Sequence, residues 1–250
     1  MKNNFILNKL VIIPTYNEER NIENIIKAVF SLNNFHLLII DDNSPDGTAK
    51  IVKNLIKHNK GLFIIEREQK LGLGTAYVHG FKWALENKYD QIFEMDADFS
   101  HNPRDLLKLS SALENADVAI GSRYISGINV VNWPLGRVLM SYLASVYVRM
   151  ITGLEVMDTT AGFVGYKAIV LKTINLNKIK LIGYGFQIEM KFKAWKFGFK
   201  IVEIPIIFTE RIEGSSKMSG GIFNEALLGV IRMKISSWFK KYPKVRKKVV

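Results

Sequence analysis

The sequence predicts an α/β fold: a single doubly wound, mostly parallel sheet flanked by helices. Two observations carry that expectation. Short apolar runs alternate with stretches of helical periodicity through the first half of the chain, as expected of parallel strands joined by crossover helices. Polar and acidic residues gather directly after several of those runs, where an open parallel sheet binds its ligands. A length of 250 residues with 48% hydrophobic content suits one core of this kind.

Leu10 to Pro14 reads as the first strand, followed by a helix over about Asn21 to Leu32. His36 to Asp41 is the second strand, and its helix spans about Thr48 to Asn59. Leu62 to Glu66 and a helix from about Thr75 to Asn87 complete a third unit, before the strand Gln91 to Met95. Asn102 and Pro103 read as the N-cap and first residue of a helix ending near Asn115, and Val118 to Gly121 as a short buried strand. From Trp133 to Val148, residues Leu135, Val138, Leu139, Tyr142, Leu143, Val146 and Tyr147 recur at helical spacing. No repeat, low-complexity segment or linker interrupts the chain. The organisation expected is one folded domain over residues 1–221 and an amphipathic, basic segment over 222–250.

Composition removes several classes of function. With no cysteine, the chain has neither disulfides nor a thiolate nucleophile or metal site, which fits a cytosolic setting. The apolar run Leu10 to Ile13 is too short for a secretory signal and passes through Pro14 into the acidic Asn17-Glu18-Glu19. No segment offers the roughly 20 uninterrupted apolar residues of a membrane-spanning helix. The net charge of +12 suggests nucleic acid until it is located: Arg232 to Val250 holds eight Lys or Arg and no acid, leaving +4 for the rest. A nucleic-acid binder would carry a basic stripe with exposed aromatics over its folded domain. A basic tail beside Ile231, Ile235, Trp238 and Phe239 reads instead as an interfacial segment attracted to anionic lipid, or as a core helix with a solvated end.

Three acidic clusters fall on one edge of the expected sheet. They are Pro14-Thr15-Tyr16-Asn17-Glu18, Asp41-Asp42-Asn43-Ser44 and Asp96-Ala97-Asp98. Each piece has a plain structural reading, since Ser44-Pro45-Asp46-Gly47 has turn chemistry and Asn17 or Thr48 can cap a helix. Their convergence is unexplained by turns alone, because gathered carboxylates repel and are usually kept for a cation or for ligand N–H and O–H groups. Mg²⁺ or Mn²⁺ shared between a carboxylate pair and substrate phosphates suits Asp96 and Asp98. Gly72 and Gly74 fail as a dinucleotide fingerprint, since Tyr77 occupies the third glycine position.

With Gly121-Ser122-Arg123-Tyr124, those clusters resemble the inverting, nucleotide-sugar-dependent glycosyltransferases, which implies the type A nucleotide-sugar transferase fold and a catalytic domain over 1–221. Asn132-Trp133-Pro134, Thr160-Ala161-Gly162-Phe163, Gly185-Phe186-Gln187 and the segment Glu210 to Met218 are similar to the polyprenyl-phosphate (dolichol-phosphate) mannose synthase branch. The resemblance implies that Pro14, Tyr16, Glu18, Ile40 and Asp42 hold the guanosine end of GDP-mannose, and that Asp96 and Ala97 approach its ribose and diphosphate. It implies that Asp98 ligates the metal with help from Ser100, which stands where some relatives have Gln. Gln187, at a position where other relatives carry Lys, also falls on the donor side, and Arg211 and Lys217 reach the diphosphate from a late loop. The resemblance further implies that Arg123 and Arg137 bind the phosphate of a polyprenyl monophosphate acceptor, dolichyl or undecaprenyl. Glu189 is open between a salt bridge and a sugar contact, and His79 and His101 are read as capping or packing residues.

The implied chemistry is a single displacement with inversion, giving β-linked mannosyl phosphate. A phosphate monoester with a second pKa near 6 is already an anionic nucleophile at neutral pH, so no general base is expected. The apolar face from Trp133 to Val148 is either core or the place where a polyprenyl chain meets the membrane. Many relatives append membrane-spanning helices, so a cytoplasmic enzyme with peripheral membrane contact or an integral membrane partner is expected. A transferase using UDP-glucose or another nucleotide sugar shares the early motifs and is opposed only by the late ones.

Overall fold

In the computed structural model, which describes residues 7–210 and 220–245, one seven-stranded sheet forms the centre. The chain runs β1 (Lys9–Thr15), α1 (Glu19–Phe30), β2 (His36–Asp41), α2 (Thr48–Ile56), β3 (Leu62–Glu66), α3 (Leu73–Glu86), β4 (Gln91–Glu94), α4 (Asp105–Asn115) and β5 (Val118–Ser122). It continues through β6 (Val130–Val131), α5 (Leu135–Thr152), β7 (Val164–Lys167), α6 (Ala168–Thr173), a 3₁₀ turn (Leu176–Lys178), α7 (Tyr184–Lys196), β8 (Ile201–Pro205), β9 (Phe208–Thr209) and α8 (Gly220–Trp238). The strand order is β3-β2-β1-β4-β7-β5-β8, with β6 and β9 forming a separate parallel pair.

Strands β1 to β4 follow the expected parallel pattern, with Pro14 beside Ile40 and Ile12 beside Glu94. β7 is the exception, antiparallel to both neighbours, β4 and β5. No strand was expected at Val164–Lys167, and its direction depends on how the chain returns to the sheet after α5, which periodicity does not record. Strand faces divide the core in two. Leu10, Ile12, Leu38 and Ile40 pack with Tyr77, Phe81 and Phe186 on one side, while Val11, Ile13, Leu37 and Ile39 meet Ile22, Ile26 and Leu109 on the other. Burial on both faces explains why β2 reads as a continuous apolar run. α1 buries Ile22, Ile25, Ile26 and Val29, the spacing of one helical face.

Glycine sets two close approaches. A Cβ on Gly80 would lie 2.8 Å from Ile12 Cγ2, so α3 sits directly on β1 only because the position is bare. Gly72 has φ +94°, which L side chains rarely adopt, and a Cβ there would meet Ile182 Cγ2 at 2.3 Å. The turn at Gly72 that leads into α3 is therefore packed closely against Ile182. α4 begins two residues later than the Asn102–Pro103 signal indicates, since the Asn102 carboxamide oxygen accepts from the Arg104 backbone N–H in a turn that precedes it. The expected boundary at residue 221 falls inside α8. That helix is docked: Val230 packs with Val148 and Ile188, and Lys234 donates to the Thr152 carbonyl at 2.9 Å.

Candidate active site

Loops after β1 and β2 are laced together by their own polar residues. Thr15 Oγ1 donates to Asp41 Oδ1 at 2.8 Å, while Asp41 also accepts from the Ser44 N–H and hydroxyl. Asn17 N–H donates to Ser44 Oγ, Glu18 N–H to Thr48 Oγ1, and Glu19 N–H to Asp46. Gly47, with a left-handed backbone, is the cap of α2 and Glu18 that of α1, so neither Thr48 nor Asn17 holds the expected capping position. Asp41 and Asp46 are thereby spent on structure, and burial's upward pull on Asp46 is outweighed by its hydrogen bonds with Thr48 and Glu19, leaving its pKa low.

Asp42 does something different. Its Oδ1 takes both Nε and an NH₂ of Arg67, at 2.6 and 2.5 Å, within a nearly buried pair. Arg67 is itself held by Thr75 Oγ1 at 2.7 Å. Among the described residues no protein donor reaches Asp42 Oδ2. Burial raises the Asp42 pKa against the pull of Arg67. Lys70 lies over the Tyr16 ring at 4.3 Å, which closes the same corner. Arg67 escaped the sequence reading, as a single basic residue after a strand carries no signal.

Asp96, Ala97 and Asp98 follow β4 at the edge where β1 ends, with Met95 N–H bonded to the Ile12 carbonyl. Asp98 is nearly buried and its Oδ1 accepts the Ser100 N–H at 3.1 Å. Ser100 Oγ is buried with no hydrogen-bond partner. An orphaned hydroxyl beside a buried carboxylate is a donor set of hard oxygens, and it fits a divalent cation. No cluster of three or more His, Asp or Glu that could hold a metal exists among the described residues, so substrate oxygens would have to complete such a shell. His101, stacked on Phe163 at 4.9 Å, lies in the combined field of Asp98, Arg123 and Asp158. Burial depresses it to about 4, so it is a neutral packing residue, as the sequence suggested.

Arg123 and Arg137 meet across one indole. The Trp133 ring lies 4.2 Å from the Arg137 guanidinium and 5.6 Å from that of Arg123. Arg123 is 8% exposed and donates through Nε and NH₂ to Asp158 at 2.7 and 2.6 Å, and through NH₂ to Thr160 Oγ1 at 2.8 Å. Burial acts to raise the Asp158 pKa, but Arg123 overrides it and the net shift is downward. Arg137 pairs with Glu210. Asp158 went unrecognised in the sequence although it stands two residues before the Thr160 motif.

The remaining expected residues fall in three groups. Pro14, Tyr16 and Glu18 are partly exposed at the β1 edge, whereas Ile40 and Ala97 are buried. Gln187 is buried beneath the edge, its Nε2 bonded to Glu94 and its Oε1 to Lys191. Glu189 makes the salt bridge, with Lys193 at 2.8 Å, and accepts the Lys180 and Leu181 N–H groups. Arg211 and Lys217 lie outside the described residues.

Comparison with known proteins adds independent findings. The profile of glycosyl transferase family 2 matches residues 10–174. An undecaprenyl-phosphate mannosyltransferase of Micrococcus luteus is 44% identical over 227 residues, covering 89% of this chain and 92% of that protein. A polyprenol monophosphomannose synthase of Mycolicibacterium smegmatis is 43% identical over 232 residues, covering 92% and 86%. Among solved structures, a Pyrobaculum calidifontis mannosyltransferase in complex with GDP-Man and Mn²⁺ aligns with TM-score 0.55 and 14% identity over 94% of this chain and 66% of that one. S. aureus TarS residues 1–349 with UDP gives 0.60 and 20% over 92% and 65%. The chain spans just under two thirds of each of those two structures, and at such identities the likeness concerns the fold alone.

Proposed function

The chain belongs to glycosyl transferase family 2, and from that premise we propose that it transfers mannose from GDP-mannose to the phosphate of a polyprenyl monophosphate, with inversion. The observation that carries this reading is the identity of 44% and 43%, across nearly the whole length, to proteins named for polyprenyl-phosphate mannosyl transfer. The site supports it. Asp42 Oδ2 offers an acceptor to the adjacent N–H donors of a guanine edge, while Arg67 fixes the carboxylate from behind. Tyr16 and Lys70 close over the same corner.

Asp98 and Ser100 would hold Mg²⁺ or Mn²⁺, which when bound neutralises charge on the departing diphosphate. Asp96 and Ala97 would border the donor's ribose and diphosphate, with Pro14, Glu18 and Ile40 shaping the nucleoside end and Gln187 acting from beneath. Arg211 and Lys217 would add positive charge at the diphosphate. Arg123, anchored by Asp158, and Arg137, paired with Glu210, would receive the acceptor phosphate on either side of Trp133. An oxygen of that phosphate attacks the anomeric carbon as its bond to GDP breaks, so GDP leaves and the α-linked sugar becomes β-linked. The acceptor dianion needs no base. A neutral His101 held under Phe163 agrees with that economy of groups.

The lipid acceptor implies a membrane surface. No helix among the described residues is long and apolar enough to cross a membrane. α5 exposes Leu135, Leu139 and Leu143, and α8 ends at Trp238, 69% exposed, followed by Phe239, 84% exposed, beside Lys240, Lys241 and Lys244. Apolar side chains edged with cations suit peripheral contact with anionic lipid. A transfer assay tests the whole reading: radiolabelled GDP-mannose, UDP-glucose and other nucleotide sugars are offered with a short-chain polyprenyl phosphate, with and without chelator. Product from GDP-mannose, lost with chelator, is expected. Faster transfer from a UDP-sugar would overturn it.

A further inference from the structure

Beneath the arginine face lies a charged side chain with no place in the reaction. Lys191, on α7, is fully buried. Its ammonium donates to the Ala161 carbonyl at 2.6 Å, and to the Gln187 carbonyl and side-chain oxygen at 3.3 Å. Gln187 passes the contact on to Glu94 Oε2 at 2.9 Å. An ammonium removed from water is costly even when paired, and an apolar side chain of similar volume is often as stable or more so. Stability alone therefore does not account for Lys191.

Its partner points to the role. Ala161 N–H closes a turn onto the Asp158 carbonyl at 3.4 Å, and within that turn Asp158 and Thr160 grip the Arg123 guanidinium. Glu203, on β8, accepts the N–H groups of Met157 and Asp158 at 2.7 and 2.9 Å. The segment is thus fastened at its start by Glu203 and at its end by Lys191, with Arg123 between them. We propose that Lys191 is a positioning residue, holding the turn from Asp158 to Ala161 and through it the guanidinium of Arg123. This rests on reading Arg123 as a ligand of the acceptor phosphate for its kinetic consequence, but not for its structural one. The charges that face Lys191 are Glu94 from β4, Glu203 from β8, Asp158 and Arg123. Burial lowers Lys191 to about 8 against the pull of Glu94 and Asp158, so its charge is lost in an accessible range.

The test is Lys191→Met, which keeps length and volume, in protein labelled with ¹⁵N-arginine. Exchange of the Arg123 Nε–H with solvent should quicken by roughly tenfold, since its protection follows the free energy of local opening. The apparent KM for lipid phosphate should rise roughly 10- to 100-fold with that for GDP-mannose unchanged, since a misplacement of about 1 Å can cost about 100-fold. Unchanged exchange overturns the proposal whatever the kinetics. Faster exchange with both KM values unchanged upholds the brace and refutes Arg123 as a ligand of either substrate. Faster exchange with a higher requirement for GDP-mannose alone upholds the brace and refutes the acceptor role of Arg123, so the two failures are distinguishable. Where Lys191→Met does not fold, Glu94→Gln decides, because in the wild type Glu94 ionises near the same pH as Lys191. With that carboxylate gone the acceptor KM should climb as pH rises to about 8 while the GDP-mannose KM stays level, and a level acceptor KM overturns the proposal. The acceptor's own second ionisation, near pH 6, is complete by then.

Discussion

Replacing Asp158 by asparagine removes the most heavily tied charge of the site while keeping its shape. Asp158 is fully buried and accepts three hydrogen bonds from Arg123, from Nε at 2.7 Å, NH₂ at 2.6 Å and the backbone N–H at 2.9 Å. Asparagine retains one oxygen but presents an NH₂ group, a donor facing the guanidinium's donors. Removing one partner of a buried pair costs about 3–5 kcal/mol. The Arg123 side chain is 9% exposed, which gives it a little access to water and favours the lower end, about 3 kcal/mol. At about 2–4 °C per kcal/mol for a chain of this size, the midpoint should fall by about 6–12 °C.

Urea and thermal unfolding of the wild type, Asp158→Asn, Arg123→Met and the double variant would measure it. The double variant leaves no uncompensated charge and should be more stable than the additive sum of the singles predicts. The pH dependence has a definite sign. Asp158 has a folded pKa below its ordinary 3.8, so its contribution is complete above that value and lost as pH falls through the folded one. The difference between wild type and variant should narrow in that acid range. A loss under about 1 kcal/mol, or strict additivity, would refute the claim that this pair anchors the arginine face.

Glu94→Gln should change the shape of the stability profile. Burial lifts the Glu94 pKa from 4.5 to about 8 against Lys191 and Gln187, so the wild type loses stability as pH rises from about 4.5 through about 8, where the unfolded chain ionises and the folded one resists. The variant should gain on the wild type across that window in urea titrations, and a constant difference would sink the argument. Asp98→Ala should lower transfer by about 100-fold or more, several kcal/mol of lost charge stabilisation, with little change in midpoint. Undiminished transfer in excess chelator would remove the metal role. Trp238→Glu with Phe239→Glu should weaken sedimentation with anionic vesicles while sparing transfer to a detergent-dispersed acceptor. Vesicle binding equal to wild type would shift membrane contact to α5.

Much of this protein was legible as sequence because its signals are local. Runs such as His36–Asp41 and Leu62–Glu66 mark strands by apolar continuity, and both bounds agree with the structure. Acidic residues directly after β1, β2 and β4 must share an edge once those strands are parallel, so the clustering of Asp42, Asp96 and Asp98 followed from topology. Only the tertiary structure could divide labour among similar residues: Asp41 takes the Thr15 and Ser44 hydroxyls and laces two loops together, whereas Asp42 takes Arg67 across 25 positions. The antiparallel direction of β7 and the burial of Lys191 were likewise undecidable, since direction depends on which strands flank it and a lysine is ordinarily read as solvated. Periodicity reports which face of an element is dry. It cannot report which distant charge arrives to balance a buried one, because that pairing exists only after β4, α7 and the turn at Asp158 have been brought together by packing.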